Sequence, residues 1–304
     1  MHRLIVAALV FAAPAAAQQD FSKVEIKAET LAPGVHVLFG AGGNIGVSTG
    51  PDGSVLIDDQ FAPLTDKILA AVKVLSPGPV RFVINTHWHG DHSGGNENLG
   101  KAGTVIVAHD NVRKRMASEQ FIALFKQTVP ASPAAALPVV TFDTASSLHL
   151  NGEDIRAVHV PPAHTDGDAL VVFTKANVIH MGDTYFAGNY PFIDLSGGGN
   201  VRGLIAAVDR GLALGNATTK YIPGHGPVTD RAALAAYRAM LVDAVARVDR
   251  LRKAGRTPAQ IVAAKPLADL DVKWGKGFMK PDVFVGIIAE SLAARPHAHG
   301  GGKH

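Results

Sequence analysis

The chain has 304 residues, of which 47% are hydrophobic and 18% are charged, and its formal net charge is +3. This composition is typical of globular proteins rather than disordered chains, and the scattered basic residues form no stripe of the kind that nucleic-acid-binding proteins present. The sequence contains no cysteine. Disulfides and thiolate ligands are therefore excluded, and any metal ion has to be bound through nitrogen and oxygen.

The first residues have the form of a secretory signal peptide. A basic start at His2 and Arg3 is followed by an apolar stretch and by the small residues Ala15–Ala17. The apolar stretch is shorter than the roughly 20 residues of a membrane-spanning helix, and no later stretch is long enough either. We therefore expect residues 1–17 to be removed before Gln18. The predicted mature protein is exported, with the bacterial periplasm as its location and without stable membrane insertion.

Short strand-like segments follow the signal sequence. The segments "GVHVLFG", "NIGVSTG" and "SVLIDD" are separated by turn residues such as "PDG", which predicts an antiparallel meander. Residues 62–75 place apolar groups at helical spacing, and "SPGP" ends that helix. A buried strand, "VRFVINT", then leads into the segment "THWHGDHSGG" at residues 86–95.

The middle of the chain is predicted to continue with a strand, "TVIVAH", and a helix over residues 110–127. Phe121 and Phe125 lie four positions apart on that predicted helix, so we expect them to pack in the core rather than to form a lid over a substrate. The Pro- and Ala-rich segment 130–138 is too short to separate two domains.

Strands and helices alternate irregularly in the rest of the chain. Strands are predicted near residues 147–159, 169–174 and 177–181, and helices after residue 200. Without regular βαβ units, this order favours an α+β class with sheets layered between helices. We expect one domain over residues 18–295 and a flexible His- and Gly-rich tail at residues 296–304.

His87, His89, Asp91 and His92 lie within six consecutive positions after an apolar segment. Side chains two positions apart on an extended segment point the same way, so His87 and His89 can share one metal ion. Gly90 lets the backbone turn and redirects the next two ligands. Four ligands so close together are too many for a single tetrahedral ion, which predicts two adjacent ions with further ligands from elsewhere.

Three later residues have the chemistry and position that such ligands need. His164 lies in "PPAHTDGD", Asp183 in "VIHMGDTYF" and His225 in "YIPGHGPV". Each follows a predicted strand, at a junction where a scaffold commonly presents functional groups. The seven candidates provide three nitrogens for one ion, a carboxylate and two nitrogens for the other, and one carboxylate to bridge them.

The H-x-H-x-D-H motif and the order of the later ligands resemble those of the metallo-beta-lactamase fold superfamily. The resemblance covers nearly the whole mature chain, from "VLIDDQ" through His225. It implies an α+β fold built as a four-layer αββα sandwich, with the metals at one edge of the sheets. The implied ligands are His87, His89 and His164 for one zinc ion, Asp91, His92 and His225 for the second, and Asp183 between the two.

Within the superfamily, Asp183 resembles the bridging aspartate of the glyoxalase II and lactonase branches. The antibiotic-hydrolysing branch that has a cysteine at this point is not matched, which disfavours beta-lactamase activity. Asp58 resembles the first aspartate of the superfamily, which supports the metal-binding loop from behind the ligands.

The segment 184–200 mixes aromatic residues with glycines. It is interpreted either as a pocket wall, with Tyr185 and Tyr190 near the substrate and Asn189 as a hydrogen-bond donor, or as a surface loop whose aromatics only pack.

These features predict an exported dinuclear zinc hydrolase that cleaves an ester, lactone or amide bond of a small molecule with a metal-bridging hydroxide. Zinc lowers the pKa of bound water to about 7. Asp91 is the predicted catalytic residue, which orients the hydroxide and carries a proton to the leaving group. The alternatives are a beta-lactamase, a glyoxalase II-like thioesterase, an iron-containing persulfide dioxygenase and a non-catalytic zinc-binding protein. The sequence leaves the substrate, the native metal and the oligomeric state open.

Overall fold

A computed structural model describes residues 20–294 of the chain. The predicted signal peptide at residues 1–17 and the predicted tail at residues 296–304 lie outside the described residues.

Most strands belong to two sheets. In chain order the strands are β1 (Lys27–Ala32), β2 (Val35–Phe39), β3 (Ile45–Ser48), β4 (Ser54–Ile57), β5 (Val80–Ile84), β6 (Val105–His109), β7 (Gln120–Ile122), β8 (Gln127–Val129), β9 (Val140–Phe142), β10 (Ala145–Leu150), β11 (Glu153–His159), β12 (Ala169–Phe173), β13 (Val178–His180) and β14 (Lys220–Ile222). The first sheet has the order β1-β2-β3-β4-β5-β6-β9, and the second has the order β10-β11-β12-β13-β14.

Strand direction changes within each sheet. In the first sheet β1 to β4 pair antiparallel, which confirms the predicted meander, and β4, β5, β6 and β9 pair parallel. In the second sheet β10 to β13 pair antiparallel, and β14 joins β13 in parallel. Because parallel neighbours end at the same edge of a sheet, the loops after β4 and β5 lie side by side, as do those after β13 and β14.

The helices are α1 (Thr65–Leu75), α2 (Gly90–Ser93), α3 (Asn96–Lys101), α4 (Asp110–Met116), α5 (Val201–Leu214), α6 (Arg231–Lys253), α7 (Pro258–Ala263), α8 (Ala268–Trp274) and α9 (Pro281–Ala293). The helix predicted over residues 62–75 corresponds to α1 and a preceding 3-10 turn, Ala62–Leu64. None of the helices between residues 20 and 294 combines the length and the apolar character that a bilayer crossing requires.

Side chains alternate along the strands and so fill three apolar layers. On β4, Ile57 packs between the two sheets, whereas its neighbour Leu56 packs beneath α1 against Ile68. On β12, Val171 joins the layer between the sheets, whereas Leu170 packs beneath the helices that follow residue 200. Because side chains alternate with a period of two, each sheet has one apolar face towards the other sheet and one apolar face that helices cover. It confirms the predicted α+β class and the four-layer αββα arrangement.

The helix predicted over residues 110–127 is wrong beyond Met116. Residues 120–129 instead form the hairpin β7–β8, a separate two-stranded sheet that closes through Lys126 in a left-handed conformation. Apolar residues at positions 121, 122, 124 and 125 imitate helical spacing, but on the hairpin they divide between two faces. Ile122 is buried and Phe121 is 54% exposed.

The imidazole rings of His109 and His159 stack 3.6 Å apart on neighbouring parts of the two sheets. Burial and, to a smaller extent, the nearby His159 lower the pKa of His109 to about 4, and burial also lowers the pKa of His159. Between pH 6.5, the ordinary histidine value, and pH 4, this pair of histidines therefore binds more protons in the unfolded chain than in the folded protein, so its contribution to stability is lost as the pH falls.

We accordingly predict that the free energy of unfolding falls as the pH is lowered through this window, by at most about 1.4 kcal/mol per pH unit for each histidine. Above pH 6.5 both histidines are neutral in both states and the effect is absent. His109→Asn should make the decline shallower in urea titrations at pH 7, 6 and 5. His149→Asn is the control, because this side chain is 74% exposed. Equal slopes for wild type and His109→Asn would contradict the assignment.

Candidate metal centre

The first four candidate ligands are positioned by the end of β5 and the short helix α2. His87 and His89 lie in the extended segment after β5, and His89 immediately precedes α2. The N–H of His92 donates to the carbonyl of His89 over 3.0 Å, so the chain turns into the helix at this point. After this change from extended to helical backbone, the rings of His87 and His92 lie side by side, with their centroids 4.3 Å apart.

The remaining candidates follow strands of the second sheet. His164 lies in the loop after β11, Asp183 in a 3-10 turn after β13, and His225 just beyond β14. The N–H of Gly224 donates to the carbonyl of Gly182 over 2.8 Å, which brings the two loops into contact. A Cβ at Gly224 would lie 2.0 Å from Asp183 Oδ1. Only glycine therefore leaves room for the Asp183 carboxylate.

One group of three nitrogens is formed by His87, His89 and His164, which each offer a ring nitrogen within 4.8 Å of the others. His164 Nε2 lies 2.8 Å from His89 Nδ1. His87 Nε2 is buried and makes no hydrogen bond within residues 20–294. A buried nitrogen without a partner costs free energy unless something binds it, so this group fits a cation with imidazole ligands.

A second group is formed by Asp91, His92 and His225, whose ligand atoms also lie within 4.8 Å of one another. His225 Nε2 is 3.3 Å from His92 Nε2 and 3.3 Å from Asp91 Oδ2. Two nitrogens and one carboxylate oxygen thus face a common point.

Asp183 lies between the two groups. Its Oδ2 is 3.5 Å from His164 Nε2 and 3.9 Å from His87 Nε2. Its Oδ1 is 3.0 Å from His92 Nε2 and 3.3 Å from His225 Nε2. The fold therefore brings all seven predicted ligands together, with one Asp183 oxygen directed at each group.

Three carboxylates, those of Asp58, Asp91 and Asp183, surround His92 of the second group. Burial disfavours the charged form of His92, but Asp183, Asp91 and Asp58 outweigh it and raise the pKa of His92 well above its usual range. Burial likewise opposes ionisation of Asp91, but the charge of His92 and a hydrogen bond from His225 hold the pKa of Asp91 at about 2. A buried cluster of carboxylates and imidazoles matches the oxygen and nitrogen ligands of a divalent cation such as zinc.

Asp58 supports the ligands from behind. Its Oδ2 accepts hydrogen bonds from His92 Nδ1 at 2.7 Å and from the Thr86 hydroxyl at 2.8 Å, and its Oδ1 accepts the Thr86 N–H at 2.7 Å. With Nδ1 bonded to Asp58, His92 directs Nε2 towards Asp183. This is the position that the sequence analysis predicted for Asp58, and it sets the tautomer of His92.

Asp194, which was not predicted from the sequence, contacts two of the candidate ligands. Its Oδ2 lies 3.1 Å from His89 Nε2, and its N–H donates to the carbonyl of His164. Nearby, the carbonyl of Phe192 lies 2.8 Å from His164 Nδ1. The segment 184–200 therefore contacts the imidazole rings of His89 and His164, two candidate ligands of the first group. The only sequence signal was an aspartate followed by three glycines in that segment.

We predict that Asp194→Ala lowers the affinity of the protein for zinc by about 10- to 100-fold, because outer partners of metal-bound histidines contribute on this scale. Competition with a chromogenic chelator measures the change. Asp269→Ala is the control, since Asp269 pairs with Arg247 on the surface, remote from the cluster. Equal zinc affinities for both variants would show that Asp194 does not position His89.

A cavity of about 620 Å³ opens beside the ligand cluster. Asn189 and Tyr190 line it, in agreement with the pocket-wall interpretation of the segment 184–200. Phe125 also lines the cavity, so the expectation that it packs in the core is wrong. The cause is the hairpin, which carries Phe125 on its closing turn instead of on a helix.

Tyr185 is not part of the cavity wall, contrary to the sequence-based interpretation. Its ring packs 4.9 Å from that of Tyr237, and its hydroxyl accepts a hydrogen bond from Thr229. The tight turn after Asp183 directs this side chain into the core beneath the helices.

Comparisons with known proteins agree with the fold. A family model described as the metallo-beta-lactamase superfamily matches residues 39–225. A metallo-beta-lactamase from Pontibacter korlensis is 19% identical, with a TM-score of 0.59 over 72% of this chain and 100% of the other. The mono-zinc form of the metallo-beta-lactamase FIM-1 from Pseudomonas aeruginosa is 20% identical, with a TM-score of 0.55 over 73% of this chain and 96% of the other.

A larger protein is also similar in structure. The stereoselective inverting sec-alkylsulfatase Pisa1 from a Pseudomonas species is 18% identical, with a TM-score of 0.70. The match covers 88% of this chain and 50% of the alkylsulfatase. At such low identities these likenesses establish the fold and leave the substrate open.

Proposed function

The chain belongs to the metallo-beta-lactamase superfamily, whose members are metal-dependent hydrolases, and we propose that it binds two zinc ions and cleaves a carboxylic ester, lactone or amide bond. The observation that carries the proposal is the position of Asp183, which directs one carboxylate oxygen at each of two ligand groups. A group that held a single ion would not need a carboxylate between two separate sets of imidazoles.

When bound, zinc ions supply a water whose pKa is lowered to about 7 and polarise the substrate carbonyl. The chain's own residues arrange the rest of the reaction. Asp91 lines the cavity and is 27% exposed, so its carboxylate reaches both the ligand cluster and a bound substrate. It is placed to accept a proton from the attacking water and to deliver it to the leaving group. Asp58 and Asp194 hold His92 and His89 in the orientations that this geometry requires.

The experiment that tests the proposal combines metal analysis with a substrate panel. The mature protein is analysed for zinc and iron by mass spectrometry, before and after chelation. It is then assayed with a chromogenic ester, acyl lactones, a cephalosporin, a glutathione thioester and a secondary alkyl sulfate. We expect two zinc ions per chain and clear preference for the ester or lactone, with activity lost on chelation and restored by zinc.

Other outcomes identify the rival functions. Preference for the cephalosporin or the thioester would assign the protein to a beta-lactamase or a glyoxalase II-like thioesterase. A single iron ion with oxygen uptake on a persulfide would indicate a dioxygenase. Two zinc ions without turnover of any panel member would contradict the proposed bond class.

Export is a separate part of the proposal. We propose that residues 1–17 are a signal peptide and that residues 18–295 form the secreted hydrolase. The basic start, apolar stretch and small-residue exit support this assignment. Expression in a bacterial host, followed by fractionation and N-terminal sequencing, should find periplasmic protein that begins at Gln18. Uncleaved protein in the cytoplasm would contradict it.

A further inference from the structure

The cavity beside the ligand cluster has the size of a small-molecule site. Its volume of about 620 Å³ lies within the range of roughly 300–1,000 Å³ that such sites occupy. Asp91, Asp183 and His225 form its polar floor. Phe186 also lines it and stacks on the His225 ring at 5.1 Å, so one apolar wall begins directly at a ligand. A substrate whose carbonyl reaches the floor must place its remainder in the cavity.

Among the described residues, the walls above the floor offer no lysine or arginine side chain to an anionic group. The uncharged side chains of the lining with hydrogen-bonding groups are Trp88, Gln127, Asn189 and Tyr190, and the Tyr190 hydroxyl already donates to Asp271. A carboxylate or sulfonate held against these walls would lose its hydration without gaining a cation, which costs free energy. An apolar group gains free energy there, because its surface leaves water.

A continuous row of aromatic rings connects the ligand cluster with the mouth of the cavity. The Phe192 ring stacks on the His89 ring, with their centroids 5.9 Å apart. The ring centroids of Phe125 and Phe192 are 5.2 Å apart, and those of Phe278 and Phe125 are 5.8 Å apart. Phe125 is 43% exposed, although it lines the cavity. The outer wall thus consists of two rings whose inward faces are available to a substrate.

The outer wall is built from two separate parts of the chain. Phe125 lies on the closing turn of the β7–β8 hairpin, and Phe278 lies in the segment between α8 and α9. Ser196 connects the hairpin to Asp194, which contacts His89 of the first ligand group. The Ala123 N–H donates to Ser196 Oγ, and Ser196 Oγ donates to Asp194. The contact between the two rings therefore closes one side of the cavity at a defined distance from the ligands.

We propose that this cavity selects an uncharged ester or lactone with an apolar acyl group, and that Phe125 and Phe278 form the wall that holds the acyl group. This inference rests on the proposed hydrolase function and names its substrate class. Substrates that carry an ionised group, such as the carboxylates of cephalosporins and glutathione thioesters, are disfavoured by the same wall.

A matched pair of esters tests the charge preference. Mono-p-nitrophenyl suberate carries a terminal carboxylate where p-nitrophenyl octanoate has a methyl group, and the two acyl chains have the same length. We expect kcat/KM of the zinc-loaded protein to be at least about tenfold higher for the octanoate, which corresponds to about 1.4 kcal/mol. A suberate that is cleaved equally fast or faster would overturn the inference.

Variants of the wall test the role of the two rings. Phe125→Ala and Phe278→Ala should each lower kcat/KM for the octanoate by about tenfold, because the acyl chain loses apolar contact, and should change kcat/KM for p-nitrophenyl acetate by less than about twofold. Phe121→Ala is the matched control, since this residue lies on the same hairpin but does not line the cavity. Thermal unfolding checks that each variant is folded. Equal losses on octanoate and acetate, or equal effects of Phe121→Ala and Phe125→Ala, would overturn the assignment.

A binding experiment distinguishes failure of the proposed apolar selectivity from failure of the proposed hydrolase function. Octanamide and its charged counterpart suberamate are titrated into the protein, and the tryptophan fluorescence is followed, because Trp88 lines the cavity. Tight octanamide binding without turnover of any ester would reject the proposed function and support the apolar site. Ester turnover with equal affinity for the two amides would support the hydrolase and reject the proposed selectivity.

Discussion

Asp183→Asn is expected to lower kcat/KM by about three orders of magnitude and to reduce the zinc content of the purified protein. The carboxylate faces both ligand groups, with Oδ2 3.5 Å from His164 Nε2 and Oδ1 3.0 Å from His92 Nε2. An amide is neutral, so it removes the negative charge that both cations would share. Metal ions contribute several kcal/mol to stabilisation of the transition state, and each 1.36 kcal/mol corresponds to about a tenfold change in rate.

The measurement is kcat/KM together with zinc content by mass spectrometry. Asp209→Asn makes the same chemical change in a surface pair with Arg238 and should leave both quantities within about twofold of wild type. Full zinc content and wild-type activity in Asp183→Asn would remove the carboxylate from the metal centre and, with it, the main support for a dinuclear site.

The second large effect is predicted for Asp91→Asn, which should lower kcat by about 10²- to 10⁴-fold, the usual contribution of a positioned general acid or base. Asp91 lines the cavity, and its Oδ2 lies 3.3 Å from His225 Nε2. The asparagine keeps the shape of the side chain and an oxygen that can contact a cation, but it has no carboxylate to accept a proton.

Excess zinc distinguishes this role from a purely ligating one. Turnover by Asp91→Asn should stay low at saturating zinc, because the missing step is proton transfer. Turnover by Asp194→Ala should recover under the same conditions, because that variant only binds zinc more weakly. Recovery of Asp91→Asn to near wild-type kcat would show that Asp91 is a ligand without a catalytic role.

The metal centre could be predicted from the sequence because the chemistry is concentrated in short segments. Four of the seven candidate ligands lie within six residues, and their types restrict the site to a cation bound by nitrogen and oxygen. The meander, the helix α1 and the layered arrangement could be predicted as well, since each depends on local periodicity. That the seven side chains meet around Asp183 is a property of the parallel pairs β4–β5 and β13–β14.

The errors have a common physical origin. Residues 110–127 have helical spacing, but the chain leaves the helix at Met116 and forms a hairpin that packs over the cavity. Tyr185 follows a ligand closely in sequence, yet a 3-10 turn directs it into the core. Asp194 lies 105 residues from the His89 ring that it contacts. Tyr185 also packs against Tyr237 and Thr229, so all three outcomes depend on contacts between segments that are distant in the sequence.

By itself, the sequence determined the class of the fold, the identities of the candidate ligands and the chemistry that they can support, because side-chain type and period are local properties. Only the tertiary structure decided which carboxylates contact the candidate ligands, which aromatic rings face the cavity and that its lining, within residues 20–294, has no lysine or arginine. These features depend on where distant loops meet at the edge of two sheets, and that position is set by packing of the whole chain.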